Sequence, residues 1–411
     1  MNRRLSGAAL ALAACLAATM PAALAAPTSV LFVGNSYTFG RIDPVMSYNA
    51  AGVHDLTAAM WATNPGGSNA FEPHPWSGVA GIFKRFTEQA GLDYEVSLST
   101  RNAASLRGHF LNTNTVGWDL RGNLASQSWD QVVLQEQSDE ALPKQPGLAS
   151  NPAYFSTYAN LVERFLHQGD AHSFRERDLI GGTSAACQAI TGASATTCNT
   201  VRNIPTNLKA DASTEVFLYQ TWARPNLINA PFTTVTDPVT GAISFTTTPA
   251  TSFYDSLEEM TADLAAAYAA VAAGNSGFAG VAPVGEAFLR AVTGGVATRD
   301  MYAADAKTDG LVDLWFDDGT HASTYGSYLS ALTLFGTLTK LDPLSLGLGE
   351  IAARELGIGA GDAWALQRIA SEQLGFVQAA VPEPAAWLLC LAALAALGWQ
   401  RRRSAFRLSR R

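Results

Sequence analysis

The chain has 411 residues, 48% of them apolar and 15% charged, enough for a full-sized hydrophobic core. Its formal net charge is −8, an acidic balance that argues against nucleic acid as a partner. The length allows two or three domains of roughly 150 residues, or one elaborated α/β domain.

Residues 1–25 read as a secretory signal. Arg3 and Arg4 make a basic start, residues 5–20 are nearly all small or apolar, and Ala23-Leu24-Ala25 is a small-x-small cleavage site. A competing reading takes Leu12-Ala13-Ala14-Cys15 as a lipoprotein cleavage box that leaves Cys15 lipidated.

Val30 to Val33 form a short apolar run with β-branched members, followed at once by Gly34-Asn35-Ser36. Such a run ending in turn residues predicts a buried strand. A serine just past the carboxyl end of a strand lies where open α/β sheets place their ligands. Gly34 allows a sharp turn, and Ser36 then starts a helix with its own N–H free for a developing oxyanion. The plainer reading of Asn35-Ser36 is a turn and a helix cap.

Residues 43–77 are polar and rich in Gly, Pro and Asn, and hold His54 and His74. They read as a long loop. Val79, Ile82, Phe83 and Phe86 have helical spacing over 78–90, closed by Gly91. Strands are expected at 94–99 and 131–134, and a helix at 154–167. Residues 169–208 break this rhythm as an insertion carrying Cys187 and Cys198. A strand at 215–219 runs into Gln220-Thr221-Trp222-Ala223-Arg224, and 230–252 reads as a hairpin or loose excursion. A helix at 256–273, a fifth strand at 280–284 and a helix at 286–292 complete the pattern. Five strands alternating with helices predict an α/β three-layer sandwich around a five-stranded parallel sheet. Residues 346–380 read as a helical spacer following a body that spans 26–345.

The last stretch, 381–411, is a second address. Val381-Pro382-Glu383-Pro384 precedes a segment of about fifteen apolar residues, which Arg401-Arg402-Arg403 closes. Pro-Glu-Pro, apolar segment and arginine cluster in that order resemble the PEP-CTERM sorting signal of Gram-negative bacteria. That resemblance implies export across the inner membrane, transient association with it through the apolar segment, and removal of the tail by an exosortase. Signal peptidase would act at the other end. The mature chain would then reach the cell surface or extracellular matrix; a permanent single-pass anchor is the other reading. With the two arginines of 1–25 and the six of 385–411 set aside, the body's formal charge falls from −8 to −16.

Of four cysteines, Cys15 and Cys390 lie in the two signals. In an exported chain Cys187 and Cys198 read as one disulfide. Without histidines at ligand spacing they make a poor metal site, and the sequence calls for neither metal nor cofactor.

A serine hydroxyl needs a base, and the base needs a carboxylate to hold it. Asp317-Asp318-Gly319-Thr320-His321 supplies both. Asp318 and His321 are three apart, so one turn brings the carboxylate to Nδ1 and leaves Nε2 for Ser36. Together these blocks resemble the SGNH, or GDSL-like, hydrolase family across residues 28–340. Gly34-Asn35-Ser36 matches the nucleophile block, with Asn for the usual Asp, and Asp318-x-x-His321 matches the last block. The resemblance implies a flavodoxin-like fold and serine-esterase chemistry, with Ser36, His321 and Asp318 catalytic. It also implies an oxyanion hole from the backbone N–H of Ser36, that of Ala103 (with Gly108 as fallback) and the amide of Gln137, where the family has asparagine. Asn35, Trp222 and Arg224 are candidate substrate contacts, and His109 is either a supporting residue or a core histidine. The serine is not in a Gly-x-Ser-x-Gly elbow, since Tyr37-Thr38 follow it. The implied substrate is an acylated small molecule or carbohydrate. A non-catalytic surface protein that binds polysaccharide on the same fold is the alternative. A phosphodiester enzyme would need a cluster of metal ligands that the sequence does not offer.

Overall fold

The computed structural model describes residues 26–59, 72–112, 119–237 and 239–376. Both address segments, with Cys15 and Cys390, lie outside the described residues. Among the described residues no helix is long and apolar enough to cross a membrane.

The sheet has six strands: β1 (Thr28–Gly34), β2 (Val53–Asp55), β3 (Tyr94–Thr100), β4 (Gln131–Gln135), β5 (Glu215–Tyr219) and β6 (Phe278–Ala282). Their order is β6-β5-β4-β1-β3-β2, and every neighbouring pair is parallel. The expected count of five is therefore one short. The extra strand, β2, sits inside the stretch expected to be a loop. It is three residues long, lies at the sheet's edge, and buries only Val53. So short and polar a segment has no alternation to read. It becomes a strand because β3 offers it a free edge.

β1 is central, paired to β3 on one side and β4 on the other. Val30 to Val33 are all at most 1% exposed. Successive side chains point to opposite faces, so both faces of the sheet are covered. The covering helices are α1 (Ser36–Phe39), α2 (Gly78–Gln89), α3 (Leu106–Leu111), α4 (Pro152–His167), α5 (Leu257–Gly274), α6 (Val284–Thr293), α7 (Thr324–Thr339) and α8 (Ala360–Gln373), with shorter turns between them. Phe86 of α2 meets Tyr328 and Phe335 of α7 edge-on, and Phe155 of α4 meets Tyr268 of α5 at 4.6 Å. Side-chain caps fix where the long helices begin. The Ser256 hydroxyl accepts from the Glu259 N–H ahead of α5, and the Ser323 hydroxyl from the Gly326 N–H ahead of α7.

Within 169–208, His172–Phe174 and Arg202–Ile204 pair as an antiparallel ribbon. Helices Ser184–Thr191 and Ala195–Asn199 are joined by the Cys187–Cys198 disulfide, both sulfurs buried. The buried Glu176 ties this insertion down. It accepts from Arg107 Nε at 2.8 Å, Tyr158 Oη at 2.5 Å and Tyr154 Oη at 3.1 Å. Because the disulfide closes a loop of about twelve residues, Cys187→Ala is expected to cost about 3 kcal/mol on the loop-entropy model. Urea denaturation of both chains measures it. Residues 230–252 contain a hairpin, Thr234–Thr236 against Ile243–Phe245. In the stretch read as a helical spacer, Ile351–Glu355 and α8 pack back on the body, with Leu366, Ile369 and Ala370 in the common core.

Candidate active site

The site forms where β1 ends. Gly34 is required for space rather than for an unusual backbone angle: a Cβ there would collide with Thr38 Oγ1 and Gln135 Oε1. Gln135 is the last residue of β4, fully buried, and its Oε1 accepts from the Asn35 N–H and from Thr38 Oγ1, each at 2.9 Å. Asn35 caps α1, its Oδ1 accepting from the Tyr37 N–H at 3.0 Å, while its Nδ2 donates to the Ala104 carbonyl at 3.0 Å. The buried His109 donates from Nε2 to the Gly34 carbonyl at 2.7 Å. Burial pushes its imidazole down to about 4, so it is neutral and acts as a donor. Ser36 is thus the first residue of a turn held from three sides.

The second half comes from 316–323. The Gly319 N–H donates to the Phe316 carbonyl and the Phe316 N–H to the His321 carbonyl, closing a tight turn. Gly319 has φ +64° and lies against Tyr302 Oη, where a Cβ has no room. Asp318 Oδ1 accepts the N–H groups of Thr320 and His321, both at 2.9 Å, and Oδ2 faces His321 Nδ1 at 2.6 Å. His321 Nε2 stands 2.8 Å from Ser36 Oγ, across 285 positions of sequence. The structure therefore brings Ser36, His321 and Asp318 into one hydrogen-bonded row.

Burial of Asp318 favours its neutral form, but His321 and the two N–H donors outweigh that and hold the carboxyl below its usual range. Burial of His321 lowers its imidazole; Asp318 opposes this, and Arg41 and Arg224 add to the lowering. His321 is accordingly neutral, and able to accept a proton, to below about pH 6.5. The acid limb of kcat/KM for an ester is expected to have its midpoint below that value. Arg224→Gln removes a cation that disfavours imidazolium, so the limb should move to higher pH. A pH–rate profile of both chains checks the direction.

Ala103 lies in the turn after β3 with φ +54°, a left-handed conformation that costs an alanine about 1–2 kcal/mol. The turn is held by the Ala104 N–H on the Arg101 carbonyl and by Asn35 Nδ2 on Ala104. Among the described residues neither the Ser36 N–H nor the Ala103 N–H has a hydrogen-bond acceptor. A first-turn N–H has none within its own helix. Gly108, the fallback, drops out: its N–H caps α3 by donating to Ser105 Oγ at 3.2 Å. Gln137 bonds locally, Nε2 to Ser138 Oγ at 3.3 Å and Oε1 from the Asp139 N–H at 3.1 Å.

Trp222 corrects an expectation. It is fully buried, stacked between Tyr37 at 4.0 Å and Phe288 at 4.8 Å, so it cannot touch substrate. It supports the site from beneath, its Nε1 donating to the Thr320 carbonyl at 3.1 Å. Asn35 is also buried, with its amide spent on protein partners, and is a positioning residue rather than a contact. Arg224 bridges two loops, donating to Ser138 Oγ at 2.9 Å and Thr320 Oγ1 at 3.3 Å, and pairs with Asp139 at 3.4 Å.

Two residues escaped the sequence reading. Tyr37 donates from Oη to the Thr320 carbonyl at 2.7 Å and sets its ring edge-on to His321 at 5.7 Å. Gln135 holds the turn that carries Ser36. Its signal is in the sequence, since a polar residue that closes the buried apolar run Val132–Leu134 needs a partner.

No family model and no curated protein matches the chain. Solved structures do. A candidate SGNH hydrolase from Slackia heliotrinireducens aligns at 18% identity and a TM-score of 0.35, over 76% of this chain and 100% of that one. A DUF4886 family protein from Bacteroides uniformis aligns at 16% identity and a TM-score of 0.42, over 85% and 95%.

Proposed function

We propose that this chain is an SGNH-type serine esterase that hydrolyses acyl esters, acetyl esters of surface or exopolysaccharide carbohydrate among them. The observation that carries this reading is the row Ser36 Oγ, His321 Nε2, His321 Nδ1, Asp318 Oδ2, with contacts of 2.8 and 2.6 Å. His321 takes the Ser36 proton as Oγ attacks the ester carbonyl. The oxyanion is received by the N–H groups of Ser36 and Ala103, with the Gln137 amide as third donor. Collapse expels the alcohol, which His321 protonates, and water then repeats the sequence to release the acid and free Ser36. Asp318 keeps the proton of neutral His321 on Nδ1 and stabilises the imidazolium.

The carbohydrate assignment follows from the address segments: signal peptidase removes 1–25, an exosortase removes the tail, and the mature chain then reaches the cell surface or extracellular matrix. Turnover of p-nitrophenyl acetate by the purified chain tests the reading. A folded chain that turns over no ester but retains glycan binding is the non-catalytic binding protein instead.

A further inference from the structure

A cavity of about 490 Å³ opens beside the Asp318 turn, within the range of about 300–1,000 Å³ that small-molecule sites occupy. Its walls are the 3-10 turn Pro225–Leu227 and the chain after it, the start of α5, and residues 299–302. It follows β5, at the carboxyl ends of the parallel strands where such sheets bind ligands. Two contacts join it to the turn that holds His321. The Asn226 N–H donates to the Gly319 carbonyl at 3.3 Å, and Tyr302 Oη lies against Gly319.

The lining has the chemistry of one ligand class. Ile228 and the Tyr302 ring give apolar surface, while Asn229, Asp255 and Asp300 give amide and carboxylate groups. Asp300 commits Oδ1 to the Tyr302 N–H at 3.0 Å. Arg299, the cation on the rim, is already paired with Glu258 at 2.7 Å. Two carboxylates beside a neutralised arginine disfavour an anionic ligand. Polar groups interleaved with apolar ones disfavour a long acyl chain, which would leave them buried without partners. A neutral ring with many hydroxyl donors and one apolar face suits both sets of groups.

We propose that this cavity is a glycan subsite. It holds a neutral sugar unit of the acylated carbohydrate beside the ester presented to Ser36, with Asp255 and Asp300 accepting from its hydroxyls and Ile228 and Tyr302 covering its apolar face. This deepens the esterase reading and rests on it.

The test compares the full chain with Ile228→Trp, which fills the cavity, and Asp255→Ala, which removes an acceptor. Substrates are p-nitrophenyl acetate and partially O-acetylated xylohexaose, cellohexaose and mannohexaose. Both variants should keep kcat/KM for p-nitrophenyl acetate within about twofold, while KM for at least one oligosaccharide rises about tenfold or more. Unchanged oligosaccharide kinetics in both variants overturns the subsite; where the parent chain turns over no oligosaccharide, binding decides. Should Ile228→Trp fail to fold, Asp255→Ala decides alone. Calorimetric titration of Ser36→Ala with the same three oligosaccharides separates the two claims. Binding lost on adding Ile228→Trp supports the subsite even if ester turnover proves absent, whereas no binding overturns the subsite and leaves the esterase reading to p-nitrophenyl acetate.

Discussion

Ser36→Ala is expected to lower kcat/KM for p-nitrophenyl acetate by at least about 10⁴-fold, with an unchanged fold. That loss is about 5 kcal/mol of transition-state stabilisation. In the proposed mechanism the hydroxyl is the atom that forms the acyl bond, and no neighbour replaces it. Its removal should disturb little else. Ser36 is 6% exposed, and its hydroxyl's hydrogen bond runs to His321 Nε2. Losing one such bond costs about 1 kcal/mol of stability. The turn itself is held by Gln135, Asn35 and His109, all untouched. Circular dichroism and melting of the variant, beside its rate, separate loss of chemistry from loss of fold.

Asp318→Asn should be nearly as damaging, by about 10³–10⁴-fold in kcat. The carboxylate accepts from three donors at once: two backbone N–H groups on Oδ1 and His321 Nδ1–H on Oδ2. An amide has only one acceptor oxygen. If that oxygen stays on the backbone donors, the NH₂ faces His321 and drives the ring proton to Nε2. Nε2 then donates to Ser36 and cannot take its proton. If the amide turns round, its NH₂ meets two N–H groups and the turn loosens. Melting measured beside steady-state kinetics distinguishes this from simple unfolding, because the first outcome leaves melting close to that of the parent while kcat falls.

The site was legible in the sequence to the extent that it is local. Asp318 and His321 are three positions apart, and one turn suffices to pair them. Val30 to Ser36 reads as strand, turn and helix start from composition alone. The meeting of Ser36 with His321 is a tertiary fact; the serine's need for a base and the resemblance of several blocks suggest it, and spacing alone does not. What stayed hidden depends on neighbours distant in sequence. β2 is a strand because β3 has an open edge. Trp222 looked available beyond β5, but the Tyr37 and Phe288 rings enclose it. Gly108 looked like a spare donor until Ser105 capped its helix. Gly34 looked like a turn residue, yet what matters is the Gln135 side chain arriving from a strand one hundred residues away. Spacing rules carry no information about such approaches.

The most direct measurement is covalent capture. The intact chain is treated with a fluorophosphonate and its mass and tryptic peptides are read. One adduct per chain on the peptide containing Ser36, formed far more slowly in His321→Ala, is the predicted result. An unlabelled chain, or a label on another residue with Ser36 free, would contradict the claim that Ser36 and His321 share a proton in a working nucleophile.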